Sequence, residues 1–102
     1  MPFETRVTAL LGIRYPIVQA GMSWASSNAA LALAVSRAGG LGVIGAGPMY
    51  PDDLRAAIRT VRAGTANPFA VNVPLYNKRA AASLDLVLEE QVPVLVASQG
   101  GP

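Results

Sequence analysis

The stretch Ala34-Val35-Ser36-Arg37-Ala38-Gly39-Gly40-Leu41-Gly42-Val43-Ile44-Gly45-Ala46-Gly47 holds a helix end, a strand and a strand exit in one continuous run. Leu31, Ala34, Val35 and Ala38 recur at helical spacing and predict a helix over 28–38 with those residues inward. Ser26, Ser27 or Asn28 can cap it, because a short polar side chain accepts from the free N–H groups of a first turn. Gly39-Gly40 stops it, since glycine tolerates the left-handed conformation in which helices often end. Leu41 to Gly45 then reads as a strand, and Gly45-Ala46-Gly47-Pro48 as its exit loop.

The same unit recurs on both sides. Upstream, Pro16-Ile17-Val18-Gln19-Ala20 is a short strand-like run that ends at Gly21. Downstream, Pro51 opens a helix at a position where a missing N–H costs nothing. Asp52 and Asp53 suit the positive end of its dipole. Leu54, Ala57, Ile58 and Val61 form its apolar stripe, Arg55, Arg59 and Arg62 fall off the stripe, and Gly64 is the stop. Phe69 to Val73 is a third strand closed by Pro74. Ala80 to Glu90 is a third helix, with Leu84, Val87 and Leu88 inward. Val92 to Ala97 is a fourth strand, and Ser98-Gln99-Gly100-Gly101-Pro102 is its exit. Strand starts near positions 16, 41, 69 and 92 give a βα repeat of about 25 residues, which demands a parallel sheet. The strands are continuous apolar runs, as when both faces are buried. An open doubly wound sheet and a barrel both satisfy this pattern.

Composition narrows the function classes. Of the 102 residues, 52% are hydrophobic and only 14% charged, against roughly 25% charged in an ordinary soluble domain. Such a chain has more apolar surface than its size readily buries, as expected for part of a fold of about 250 residues. Cysteine and histidine are both absent. That excludes a disulfide scaffold, a Cys/His zinc site and a Ser-His-Asp or Cys-His catalytic system built from these residues alone. No metal site is expected. The net charge is +2 and the arginines are dispersed, so no basic stripe suggests nucleic-acid binding. No run approaches the 18 or so apolar residues of a membrane span. The N-terminal stretch does not read as a signal peptide, and a cytoplasmic location is the default.

In both parallel architectures ligands bind at the C-terminal ends of the strands, so the exit loops are the places to look. Gly42, Gly45 and Gly47 fall short of a dinucleotide fingerprint, because position 50 is Tyr50 and the motif belongs after the first strand. They allow a sharp turn or a close approach to the backbone. Gln19-Ala20-Gly21-Met22 offers a bare main-chain surface that could hydrogen-bond the edge of a planar heterocycle. Met22 could pack on its face or fill the core beneath the loop. Asn72 stands between Val71 and Val73, against strand propensity. Its amide suits either ring or phosphate recognition or a structural tie between loops. Ser98 and Gln99 add polar groups on the last loop. Lys78 and Arg79 read as a solvated helix start, with contact to an anionic substrate as the other reading.

The blocks Pro16-Ile17-Val18-Gln19-Ala20-Gly21-Met22, Ala34 to Gly47, and Pro68-Phe69-Ala70-Val71-Asn72-Val73, with their spacing, resemble the nitronate monooxygenase family, formerly 2-nitropropane dioxygenase, which includes the enoyl-ACP reductase II flavoproteins. The resemblance covers nearly the whole chain. It implies that residues 1–102 are the N-terminal half of a (β/α)8 TIM barrel, an α/β fold with about four parallel β-strands and intervening helices. It implies FMN at the C-terminal mouth, with Ala20, Gly21, Met22 and Ser23 along the isoalloxazine edge, Asn72 hydrogen-bonded to the ring, and Ser98 and Gln99 on the substrate side. The family's phosphate loops and catalytic histidine belong to later strands, so no catalytic residue is expected here and this part alone is expected to be inactive. The implied activity is oxidation of alkyl nitronates with O2. The alternative is NAD(P)H-dependent reduction of an enoyl thioester of acyl carrier protein. A reading from another class is an inactive half-barrel that pairs its open strand edges and self-associates.

Overall fold

The computed structural model describes residues 4–21 and 28–99. The chain enters through a short helix, α1 (Arg6–Leu11), which apolar periodicity does not announce because six residues are too few to show a stripe. Its signal is a reciprocal cap. The Thr8 N–H donates to Thr5 Oγ1 (3.1 Å) and the Thr5 N–H donates to Thr8 Oγ1 (2.8 Å), a capping box with threonine in the place usually held by Glu or Gln. Gly12, at φ 71°, ends the helix in the left-handed region.

The next helix, α2 (Ala29–Ala38), is capped by Asn28, whose Oδ1 accepts from the Leu31 N–H at 3.0 Å. Its buried face is Ala32 and Ser36, whereas the sequence pointed to Leu31, Ala34, Val35 and Ala38; Ala34 and Ala38 are exposed. The cause is how closely α2 approaches the first strand, β1 (Gly42–Gly45). A Cβ on Gly42 would collide with the Ala32 carbonyl oxygen and stand 2.6 Å from Ser36 Oγ. Only small side chains fit that contact, so apolar size misidentifies the inward face.

Helix α3 (Pro51–Gly64) buries Leu54, Ala57, Ile58 and Val61, as its stripe predicts. The helix ends at Gly64, and extended Thr65 caps it. A Cβ on Gly64 would lie 2.6 Å from Leu33 Cδ1 of α2, so a larger residue would push that side chain aside. Strand β2 (Phe69–Pro74) is buried throughout. Helix α4 (Ala80–Glu89) buries Ala80, Ser83, Leu86 and Val87. Leu88, expected inward, is 76% exposed. It lines a groove beside Leu84, Val92 and Leu95, so α4 divides its apolar residues between two flanks. Strand β3 (Val94–Ser98) begins later than the sequence suggests. The Val92 N–H is taken by the Val87 carbonyl at 3.1 Å, and Pro93 has no N–H to give, so the ladder starts at Val94.

The strands form one parallel sheet in the order β1-β2-β3. Of the four expected strands, the one over 16–20 contracts to a single parallel bridge, Val18 to Leu41. The Leu41 N–H donates to the Ile17 carbonyl (2.8 Å) and the Gln19 N–H to the Leu41 carbonyl (3.0 Å). The next donor, the Val43 N–H, meets Gln19 Oε1 at 3.0 Å. A side-chain oxygen thus takes the place of a main-chain carbonyl, and the chain leaves the ladder at Ala20.

The sheet has two different faces, as strand alternation requires. Ile44, Phe69, Val71 and Val73 pack under the helices with Leu54, Ile58, Val61, Leu86 and Val87. On the opposite face Leu41, Val43 and Ala70 pack with Ile13 of the entering segment and with Val94 and Val96.

Candidate functional site

The inner face turns polar at the C-terminal ends of its strands. Asn72 follows Ala70 on that face and is paired in register with Gly45 and Val96. It is 6% exposed. Its Nδ2 donates to the Val96 carbonyl at 2.9 Å and to Ser98 Oγ at 3.0 Å. A carbonyl can only accept, so this network fixes which end of the amide is nitrogen. Both amide hydrogens are therefore spent on β3. Among the described residues no donor meets Oδ1.

Gly21 closes over that oxygen. A Cβ added at Gly21 would stand 2.7 Å from Asn72 Cβ and 2.8 Å from both Cγ and Oδ1. No side chain fits, and the Gly21 main chain, which follows the Val18–Ala20 segment, lies directly against the amide. Gln19 holds that segment through its bond to Val43. Gly21, Asn72 and Ser98 thus form one cluster at the strand tips, with exposed Ala20 beside it. Gln99 follows at the rim, exposed and at φ 52°, a backbone conformation non-glycine residues rarely adopt. Met22 and Ser23 lie outside the described residues. Of the other candidates, Gly42 faces α2 rather than a ligand. Lys78 is exposed and Arg79 half-buried.

Two residues that organise the sheet beneath this site are not visible as chemistry in the sequence. Gln19 extends the ladder with its side chain. Ser36 accepts from the Gly42 N–H (3.0 Å) and donates to the Pro68 carbonyl (3.0 Å), joining α2 to the entrances of two strands. The only signal for either is a polar residue inside an apolar run.

A parallel sheet with helices on one face places the chain among α/β proteins, a class in which ligands are bound at the carboxyl ends of the strands. The family model for nitronate monooxygenase matches residues 4–97, and the chain belongs to that family. It is 40% identical over 94 residues to a (3aS,4S,5R,7aS)-5-hydroxy-7a-methyl-1-oxo-octahydro-1H-indene-4-carboxyl-CoA dehydrogenase of Mycobacterium tuberculosis, covering 92% of this chain and 26% of the relative. It is 48% identical over 73 residues to a probable nitronate monooxygenase of Staphylococcus saprophyticus, covering 72% of this chain and 20% of that one. The structure of FabK from Thermotoga maritima superposes with a TM-score of 0.92 at 48% identity over 97% of this chain and 32% of that chain. The fold is therefore a partial TIM barrel, and the chain spans between 20% and 32% of these three relatives' own length. The family is one of flavin-dependent oxidoreductases. Among the described residues no helix is long and apolar enough to cross a membrane.

Proposed function

We propose that this chain carries the ring-side part of an FMN site in an enzyme that oxidises alkyl nitronates with O2. The observation that carries the reading is the contact of Gly21 with Asn72. It leaves a side-chain-free main-chain edge beside one amide oxygen that accepts no hydrogen bond from the described residues, a surface suited to the donor edge of a flat heterocycle. In this proposal Ala20, Gly21, Met22 and Ser23 line the ring, and Asn72 accepts from it through Oδ1, since its nitrogen is committed to Val96 and Ser98. Ser98 and Gln99 face the substrate. The flavin supplies the redox capacity, and these residues supply position and polarity.

The second reading is NAD(P)H-dependent reduction of an enoyl thioester at the same mouth. The relative named for a carboxyl-CoA substrate supports thioester chemistry within the family. The complete enzyme decides between them through O2 uptake with propionate 3-nitronate against NADH oxidation with a crotonyl thioester. Gly21→Val should abolish the visible flavin absorbance and both activities. An enzyme purified colourless after reconstitution with FMN, or a Gly21→Val variant that stays yellow and active, would sink the proposed site.

A further inference from the structure

Arg79 is a cation with no carboxylate partner among the described residues. It stands at the start of α4, on the loop that leaves β2. Its Nε donates to the Met49 carbonyl (3.1 Å) and Nη2 to the Gly47 carbonyl (3.1 Å). Its guanidinium carbon sits 4.5 Å from the centroid of the Tyr50 ring. Asn77 ties the same two loops, donating from Nδ2 to the Gly47 carbonyl (2.7 Å) and accepting at Oδ1 from the Arg79 N–H (2.9 Å). The guanidinium is thus held in one orientation by neutral partners. A guanidinium has five N–H donors, and among the described residues nothing engages Nη1.

Arg79 borders a cleft of about 390 Å3, whose lining includes Gly47, Tyr50, Pro74 and Tyr76 and no acidic residue. That volume lies within the range of small-molecule sites. The two tyrosine rings are 63% and 71% exposed. Pro74 pairs in register with Ser98, one step beyond the Asn72–Val96 level on the same face, so the cleft opens about 7 Å past Asn72 along β2. A fixed guanidinium with free N–H groups matches the oxygens of a phosphate, and the aromatic surface beside it exceeds what a small anion such as a nitronate needs.

We propose that the Arg79 cleft is a subsite for a phosphate ester, holding the phosphorylated tail of a substrate whose reacting end lies at Asn72. This rests on the strand-tip cluster being the reaction mouth and on its second, thioester reading, whose substrates it narrows to extended molecules that carry a phosphate. Coenzyme A and pantetheine, which lacks the phosphates, are titrated calorimetrically into the complete enzyme. Coenzyme A should bind at least about tenfold more tightly, as expected for a charge-assisted contact, and its affinity should fall with salt. Arg79→Met should erase the preference and Arg79→Lys should keep part of it. Tyr76→Ala should weaken coenzyme A several-fold with no change in Tm, because that ring is exposed and makes no hydrogen bond among the described residues. Should Arg79→Met loosen the loops and lower Tm, the Tyr76→Ala and salt titrations still decide. Equal binding of the two probes, or a preference that survives both substitutions, overturns the proposal. Flavin absorbance and nitronate-dependent O2 uptake are read separately. A colourless enzyme that retains the Arg79-dependent preference sinks the proposed function alone, and a yellow, active enzyme without the preference sinks the subsite alone.

Discussion

Helices α2 and α3 cover the same face of the sheet but touch it differently. Helix α3 stands off on Leu54, Ile58 and Val61, which fill the space above Ile44, Phe69 and Val71. Helix α2 comes down onto bare main chain, with Ala32 and Ser36 against Gly42. The first contact is stabilised by apolar area removed from water. The second has little side chain to bury and depends on close packing and on hydrogen bonds that satisfy buried main-chain groups. The tight contact has no slack for added atoms, whereas the looser one can relax around lost atoms.

Substitutions that add or remove atoms test that contrast. Gly42→Val places branched carbon where the Ala32 carbonyl and Ser36 Oγ already sit. Backbone cannot swing aside as a side chain does, so we expect a loss of about 4 kcal/mol or more, at the severe end for a single substitution. The check is the urea midpoint with its m-value; a variant within experimental error of the parent would show that α2 can shift. Leu54→Ala leaves a void under α3 and should cost about 3 kcal/mol, within the range for buried Leu→Ala changes. If Leu54→Ala proved more damaging than Gly42→Val, the ranking of the two contacts would be reversed.

The contrast also explains what the sequence discloses. The α3 stripe is legible because large apolar residues at helical spacing report a helix held off by side chains. The α2 face is misread because its buried residues are Ala32 and Ser36, which no hydrophobic pattern selects over Leu31 or Val35. Leu88 misleads for a related reason, since α4 has a second apolar flank along the groove with Leu95. The βα repeat, the parallel order and the β2 strand follow from run length and glycine punctuation alone. Within the strand-tip cluster, Asn72 stands out because asparagine is disfavoured inside an apolar strand, and Gly21 because it ends a strand-like run and leaves main chain bare. That the Asn72 nitrogen is spent on β3 cannot be read in one dimension, because Val96 and Ser98 reach it only through the pairing register. Gln19 is hidden for the same reason.

Ser36 is the polar half of the tight contact. Its hydroxyl serves the Gly42 N–H and the Pro68 carbonyl together, while its own carbonyl accepts from Asn67 Nδ2 at 2.9 Å. Ser36→Ala removes one oxygen and leaves a buried donor and a carbonyl unanswered. We expect a loss of about 2 kcal/mol, the usual cost of stranding buried polar groups. Faster hydrogen exchange at the Gly42 amide should accompany it. A neutral effect on the midpoint would mean that water reaches the seam and replaces the hydroxyl.

The smallest effect belongs to the outer seam between α3 and α4, which charge rather than close packing holds. Glu90 Oε2 lies 2.8 Å from Arg55 Nη1 and 3.3 Å from Arg59 Nη2, and Oε1 lies 3.6 Å from Arg62 Nη1. The hydrogen bond from Arg59, joined by the charges of Arg59 and Arg55, holds the Glu90 carboxyl below the ordinary glutamate range against the opposing push of desolvation. The folded state therefore prefers the ionised form more strongly than the unfolded state does. That contribution is complete above the unfolded pKa and disappears as pH falls through the lower, folded one. Denaturation midpoints followed from about pH 7 to about pH 3 should thus decline more steeply for the parent than for Glu90→Gln, and added salt should narrow the gap because the arginines are well exposed. Superimposable pH profiles would mean that the three arginines hold Glu90 without stabilising the fold. In that case the seam would depend on the apolar cluster that Leu86 and Val87 share with α3 and on the hydrogen bonds from Arg62 to the Glu90 and Gln91 carbonyls, and α4 would resemble α3 in being held largely by apolar area.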